Sequence, residues 1–114
     1  MPVLNRVFLV GNLTRDPEGL RRTPSGMVVL YMRMALNTKT RTPDGEVREE
    51  QCFVDVSVWG HEAEIAAGKL SKGSLVLVNG RLWSEGAGKD DRKQIRLSVV
   101  AERIEILGDS KRMG

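Results

Sequence analysis

Residues 51–60, QCFVDVSVWG, contain two large aromatic side chains, Phe53 and Trp59, that could contact a ligand. This stretch alternates with the period of two that is typical of a β-strand. The apolar face would consist of Cys52, Val54, Val56 and Val58. The opposite face is polar except for Phe53 and Trp59. Large rings among polar neighbours need a partner, which could be another subunit or a flat ligand such as an unstacked base.

Basic residues accompany the other aromatic side chains. Arg81 precedes Trp83 by two positions, and Arg33 follows Tyr31 by two. Stacking of a base on an aromatic ring contributes about 1–3 kcal/mol and tolerates any base, while Arg and Lys neutralise phosphates. Phe53 and Trp59 would lie roughly 20 Å apart along a strand, which suits separate platforms rather than one aromatic box. A subunit interface, or hairpin packing for Trp83, is the alternative explanation.

Covalent and metal chemistry have little support in the sequence. Cys52 is the one cysteine and His61 the one histidine. We expect Cys52 to pack inward as a small apolar residue, and His61 to be exposed or to cap the start of a helix. Metal-ligand spacing and a phosphate-binding P-loop are both missing. The sequence therefore predicts a binding protein with no catalytic residue, no cofactor and no metal.

Length and composition are typical of one globular domain. The chain has 114 residues, of which 40% are hydrophobic and 29% charged. Its net charge of +3 permits a nucleic-acid partner without proving one. No signal peptide and no apolar run of about 20 residues is visible, so we expect a soluble, cytoplasmic, nucleoid-associated protein without membrane contact. We assign residues 1–108 to the domain and 109–114 to a short flexible tail.

Hydrophobic patterns divide the chain into five main strands and one helix. The strands are predicted at residues 5–13, 27–37, 51–60, 74–83 and 94–106, with a minor strand at 20–22. A short helix is predicted at residues 62–69, with Glu62 and Glu64 in its first turn and Lys69 in its last, as the helix dipole favours. This helix would plug one end of a barrel.

Side-chain alternation also assigns the faces of the other strands. Phe8 and Val10 make the outward face of the first strand more apolar than a solvated face should be, which indicates cover by a second subunit. Gly11-Asn12 could bend or bulge this strand. Leu82 shares a face with Val76, Val78 and Gly80, and Leu97 shares a face with Ile95 and Val99.

The order of elements predicts an all-β fold, a five-stranded oligonucleotide/oligosaccharide-binding (OB) barrel. Such barrels have one short helix between the third and fourth strands, and two long β-hairpin arms that match the fold's binding loops. The first arm is a polar loop at residues 38–50 around the turn Thr42-Pro43-Asp44-Gly45, and the second is at residues 84–93. Lys39 and Arg41 lie on the first arm, which is either a solvated hairpin or an arm that closes over a polyanion.

Several segments resemble bacterial single-stranded DNA-binding proteins in order and spacing. They are residues 5–18 (NRVFLVGNLTRDPE), 23–26 (TPSG), 56–60 (VSVWG), 70–74 (LSKGS), 78–82 (VNGRL) and 104–108 (IEILG). The resemblance extends from about Leu4 to Gly108, and several matches in register are far more specific than any one of them. The chain is identified on these residues as a member of that family, in a tail-less or truncated form.

The resemblance implies non-specific binding of single-stranded DNA during replication, recombination and repair. It also implies a homotetramer built from dimers that pair through the first strand, with a homodimer as the alternative. Phe53 and Trp59 align with stacking aromatics of the family, and Arg6 and Lys72 align with basic positions near the DNA path. The predicted DNA-binding residues are Arg6, Arg33, Lys39, Arg41, Phe53, Trp59, Lys72, Arg81, Trp83 and Arg96.

The chain departs from the family pattern at three places. Thr40 stands where the family often carries a tryptophan on the arm, so one stacking platform is lost. Asp55 lies between Phe53 and Trp59 where a basic residue is common, and a carboxylate there should repel phosphate and weaken binding. The family normally continues into a long tail with an acidic tip, so we expect recruitment of replication and repair proteins only if such a tail is missing from this sequence.

Two other interpretations stay open on the sequence. Primosomal replication protein N is a tail-less relative with a dimeric barrel, although the segment from Gly11 to Pro17 fits the first family better. An OB-fold protein-interaction module, whose aromatic face docks a partner, is the other.

Overall fold

The computed structural model describes residues 2–85 and 96–108 of the chain. Within these ranges the elements are β1 (Val7–Leu13), β2 (Arg21–Arg22), β3 (Val28–Arg41), β4 (Val47–Trp59), α1 (His61–Ala67), β5 (Leu75–Glu85) and β6 (Arg96–Gly108). The predicted order of five main strands and one helix is confirmed, and β2 is the predicted minor strand.

Five of the strands close into a barrel. β1 pairs with β5, β5 with β6, β6 with β4, β4 with β3, and β3 again with β1, while β2 adds to the edge of β3. The pairing of β4 with β6 is parallel and the other pairings are antiparallel. With α1 between β4 and β5, this arrangement is the OB fold, which confirms the predicted fold class.

The core fills the inside of the barrel with side chains from alternate strand positions. Its largest fully buried members include Leu30, Met34, Val56, Val58, Val76, Val78 and Val99. α1 covers one end, where Ala63, Ala66 and the following Leu70 join the same cluster. Gly60 leads into α1 with a φ of 70°, a conformation that favours glycine. The helix therefore plugs the barrel, as predicted.

Gly11 lies where β1 passes from one strand partner to another. β1 pairs with β5 from Val7 to Asn12 without interruption, and with β3 at Asn12 and Leu13. A Cβ atom on Gly11 would lie 2.5 Å from the carbonyl oxygen of Ala35. The predicted bend or bulge at Gly11-Asn12 is thus a close approach of two backbones, which only glycine permits.

The first arm is a regular two-stranded ribbon. β3 and β4 stay paired without a break as far as Arg41 and Val47, so the prediction of a polar loop over residues 38–50 is wrong for most of its length. Polar side chains on both faces of the ribbon remove the alternation that reveals a half-buried strand. The predicted turn is confirmed: the Gly45 N–H donates to the Thr42 carbonyl at 2.9 Å, and Gly45 has a φ of 91°.

The prediction that Cys52 packs inward is wrong, because Cys52 is exposed. Leu82 and Leu97 are also exposed, although each shares a face of its strand with core valines. Leu82 is directly opposite the buried Val99, and Cys52 is directly opposite Leu36, which packs against the core, so burial changes between neighbouring positions of one face. Alternation assigns a residue to a face, but it does not show where the core ends.

α1 ends earlier than predicted. Gly68 is its C-cap, so Lys69 does not lie in its last turn, although Glu62 and Glu64 lie in its first turn as expected. Glycine is a poor helix former, and here it stops the helix before the lysine. His61 is exposed and makes no capping hydrogen bond through its side chain. Among the described residues, no helix has the length and hydropathy needed to cross a membrane.

Two predictions lie wholly or partly outside the described residues. The tip of the second hairpin falls within residues 86–95, and the predicted tail covers residues 109–114. The base of the second hairpin is described, and its strands stay paired as far as Glu85 and Arg96.

Candidate nucleic-acid interface

Odd-numbered residues of β3 and β4 share one surface of the barrel, which we call the outer face. Its cross-strand pairs are Tyr31 with Ser57, Arg33 with Asp55, and Ala35 with Phe53. The row at Ser57 continues to Val100 of β6 and then to Arg81 of β5. Side chains from four strands therefore meet on the outer face, although they lie far apart in the sequence.

The first concavity on the outer face surrounds Phe53, and we call it the Phe53 hollow. It measures about 320 Å³ and is lined by Thr14, Arg15, Arg33 and Phe53. The Phe53 side chain is 49% exposed, and the Arg33 guanidinium lies 5.3 Å from the centroid of its ring. A cation at this distance is attracted to the face of the ring. The contact places a positive charge beside an accessible aromatic surface.

The second concavity contains both tryptophans, and we call it the tryptophan hollow. It measures about 500 Å³ and is lined by Tyr31, Ser57, Trp59, Arg81, Trp83 and Val100. Trp83 is 50% exposed, with the Arg81 guanidinium 6.0 Å from its ring centroid. Trp59 is half-buried, and its Nε1–H donates to the Ser57 hydroxyl oxygen at 2.9 Å, which fixes the orientation of the ring.

A groove of about 340 Å³, which we call the arginine groove, connects the two hollows. It is lined by Arg15, Glu18, Arg21, Tyr31, Met32, Asp55, Arg96, Leu97 and Ser98. It shares Arg15 with the Phe53 hollow and Tyr31 with the tryptophan hollow. The outer face therefore offers one path along which flat rings and guanidinium groups alternate.

Asp55 lies in this path between two arginines. Its Oδ2 is 3.3 Å from Nη2 of Arg96, and its Oδ1 is 4.0 Å from Nε of Arg33. The sequence places the Asp55 carboxylate between the rings of Phe53 and Trp59. The structure shows that the guanidinium groups of Arg33 and Arg96 lie beside this carboxylate. Asp55 is 46% exposed, so both ion pairs are open to solvent and to competing anions.

Arg15 and Arg21 belong to the same surface and were not among the predicted site residues. Arg15 lines both the Phe53 hollow and the arginine groove, and the Arg21 guanidinium lies 5.9 Å from the ring centroid of Tyr31. Tyr31, which forms an aromatic and basic pair with Arg33 in the sequence, is not among the predicted site residues either. Arg15 lies on the loop between β1 and β2, and Arg21 lies on β2, which pairs with β3. No local pattern in the sequence indicates that these two side chains reach the outer face.

Arg6 and Lys72 lie at the margins of this surface. Arg6 forms an ion pair with Glu102 of β6 and precedes Val7, which pairs with Gly80. The backbone N–H of Lys72 donates to Oδ1 of Asp16 at 2.7 Å, which ties it to the loop that carries Arg15. Neither residue lines the hollows or the groove.

Lys39 and Arg41 lie on the arm, away from both hollows. Lys39 Nζ is 3.9 Å from the Glu49 carboxylate, directly across the ribbon. Near the tip, a hydrogen bond from the Thr42 hydroxyl, 2.7 Å long, holds the pKa of Asp44 below its usual value. The charged residues of the arm are Lys39, Arg41, Arg48, Asp44, Glu46, Glu49 and Glu50. Acidic residues therefore outnumber basic ones on the arm.

The geometry of the described residues is suited to holding a ligand. Cys52 lies at the base of the arm and His61 at the start of α1, on different elements. Within residues 2–85 and 96–108, no group of three or more His, Cys, Asp or Glu side chains could hold a metal ion. What the outer face presents is rings for stacking and guanidinium groups for anions.

Known proteins are similar to this chain in both sequence and fold. The model of the single-strand binding protein family matches residues 4–107. A single-stranded DNA-binding protein from Wolinella succinogenes is 45% identical over 94% of this chain and 65% of its own length. One from Aquifex aeolicus is 38% identical over 96% of this chain and 74% of its own length.

A solved structure is also similar to this chain in both fold and sequence. The wild-type single-stranded DNA binding protein from Thermus aquaticus superposes with a TM-score of 0.79 at 36% identity, over 91% of this chain and 50% of that one. The chain thus spans about half to three quarters of the length of these relatives. The fold is an OB barrel, and its outer face carries aromatic and basic side chains. The chain belongs to the single-strand binding protein family.

Proposed function

We propose that this chain binds single-stranded DNA without sequence preference and protects it during replication, recombination and repair. The observation that carries the proposal is the continuous path over the outer face, where the Phe53 hollow, the arginine groove and the tryptophan hollow adjoin. Bases would stack on Phe53, Trp59 and Trp83. The similarity to relatives named single-stranded DNA-binding protein supports the same ligand.

The predicted basic residues take graded roles in this proposal. Arg33, Arg81 and Arg96 neutralise phosphates within the path, because each lines a hollow or the groove. Arg6 and Lys72 attract the strand at the margins of the face. Lys39 and Arg41 act from the arm and contribute less, since acidic neighbours offset their charge. We infer a binding role rather than an enzymatic one.

We further propose that the chain self-associates through the outward side of β1, as a homotetramer or alternatively a homodimer. Phe8 and Val10 are 66% and 49% exposed there, in a strand whose apolar residues suit a covered position. The neighbouring Asn79 has a buried Oδ1 without a hydrogen-bond partner among the described residues. A second copy could supply the donor. The mass in solution, with and without oligo(dT), tests both assembly and ligand class.

The cellular setting follows from this role. We propose a cytoplasmic, nucleoid-associated protein. Recruitment of replication and repair proteins is proposed only for a form of the chain that carries an acidic tail.

Titration with oligo(dT) tests the proposed function. At low salt, oligo(dT) should quench tryptophan fluorescence, and a duplex of equal length should bind much more weakly. The logarithm of affinity should fall with the logarithm of salt concentration by about 0.7 per phosphate contact. An absence of both quenching and binding at low salt would overturn the proposal.

A further inference from the structure

Asp55 lies in the arginine groove between the guanidinium groups of Arg33 and Arg96. A strand that passes from Phe53 to Trp59 along β4 crosses Asp55, which is midway between them on the same face. The Asp55 carboxylate is 3.3 Å from Arg96 and 4.0 Å from Arg33, one oxygen toward each. The Asp55 carboxylate accepts a hydrogen bond from Arg96 and forms a longer ion pair with Arg33, and a phosphate is an anion that arginine binds in the same way.

We propose that Asp55 is an internal competitor of the DNA phosphate for Arg33 and Arg96, which lowers the affinity and makes its salt dependence shallower. The inference rests on the proposed function and concerns how the same site is regulated. A phosphate that enters the groove must share the two guanidinium groups with Asp55 or displace it. Because Asp55 is 46% exposed, its ion pairs are solvated and can exchange with an incoming anion.

The opposite role for Asp55 is also physically reasonable and gives the opposite result. Arg33 has a second contact, with its guanidinium 5.3 Å from the Phe53 ring centroid, which can hold its side chain without Asp55. If Asp55 instead positions Arg33 and Arg96 for DNA, its removal weakens binding. If Asp55 competes, its removal strengthens binding.

The test compares Asp55→Asn with Glu49→Gln. Each substitution removes one negative charge from the same face of β4, where the carboxylate lies opposite a cation of β3: Arg33 for Asp55 and Lys39 for Glu49. Of these two carboxylates, Asp55 lines the arginine groove and Glu49 does not. Glu49→Gln therefore controls for the change in net charge, and thermal unfolding of each variant controls for folding.

We expect Asp55→Asn to bind oligo(dT) roughly three- to tenfold more tightly than the wild type at low salt. Its salt slope should be steeper by about 0.7, since one further phosphate is neutralised. Dissociation should slow, because the phosphate no longer competes with a tethered carboxylate. Glu49→Gln should change affinity by less than about twofold and leave the slope unchanged.

Two results overturn the proposal while the proposed function survives. One is weaker binding by Asp55→Asn, which assigns Asp55 a positioning role. The other is a change in affinity and slope no larger than that of Glu49→Gln. If the wild type itself does not bind oligo(dT) at low salt, the proposed function fails and the competition with it.

Discussion

The two ends of the β3–β4 ribbon have the same backbone and different surfaces. Pairing continues without a break from the barrel to the tip of the arm. On the outer face near the barrel, Phe53 and Trp59 lie among arginines, whereas the same face of the arm presents Lys39 paired with Glu49. Backbone geometry cannot explain this difference, so it lies in the side chains and in what supports them from behind.

The support behind the two ends differs. Behind the barrel end, the inward side chains of β3 and β4 are packed in the core, as Met34 and Val56 are. A packed core holds the outward rings in place, so a base that stacks on them loses little to side-chain ordering. The arm has charged residues on both faces and no core. Acidic residues outnumber basic ones on the arm, which makes it the weaker site for a polyanion.

Substitution of glycine by alanine should give the largest difference between the barrel and the arm, measured as the free energy of unfolding. A Cβ on Gly11 meets the backbone of Ala35 at 2.5 Å, whereas a Cβ on Gly45 meets open space at a φ of 91°. We expect Gly11→Ala to lower the free energy of unfolding by about 3 kcal/mol, since backbone cannot move aside cheaply. Gly45→Ala should lower it by about 1 kcal/mol or less, because its strain is confined to the arm. Urea denaturation measures both, and equal losses would show that the arm belongs to the cooperative core.

Truncation of exposed side chains on β4 should have the second-largest effect, which is on the affinity for oligo(dT). Phe53 and Val47 lie on the same face of β4 and are 49% and 59% exposed. We expect Phe53→Ala to weaken oligo(dT) binding by roughly 5- to 150-fold, which corresponds to one lost stacking contact. Val47→Ala should change the affinity by less than about twofold. Comparable losses in equilibrium titrations would contradict the assignment of stacking to the barrel end.

Neutralisation of cations on β3 should produce the smallest effect. Arg33 and Lys39 each lie opposite a carboxylate, at 4.0 Å and 3.9 Å. Arg33→Gln should reduce the salt slope of oligo(dT) binding by about 0.7, and Lys39→Gln by distinctly less. The slopes come from titrations between low and moderate salt. A larger reduction for Lys39→Gln would move the main phosphate contacts to the arm.

The barrel could be predicted from the sequence because local and global signals agree. Period-two alternation placed Leu30, Met34, Val56 and Val58 in the core, and the position of one short helix between strands indicated the OB fold. The same alternation failed at Cys52. There the apolar pattern continues although the side chain is exposed, because burial depends on tertiary contacts that the pattern does not contain.

The site was predicted in part. Exposed aromatics on a polar face indicated Phe53, because its strand neighbours are local in sequence. The joining of Trp59 and Trp83 in one hollow depends on the pairing of β4 with β6 and of β6 with β5. Arg15 reaches the same surface through the loop after β1, and Arg21 through the pairing of β2 with β3. Such convergence depends on non-local register, which a single sequence does not contain.

Single-tryptophan variants give the most direct test of the claim that DNA follows the outer face. Trp59→Phe leaves Trp83 as the reporter, and Trp83→Phe leaves Trp59. We expect oligo(dT) to quench the fluorescence of both variants, since the two rings line one hollow. Retained binding with no quenching in either variant would contradict the claim and place the DNA elsewhere on the protein.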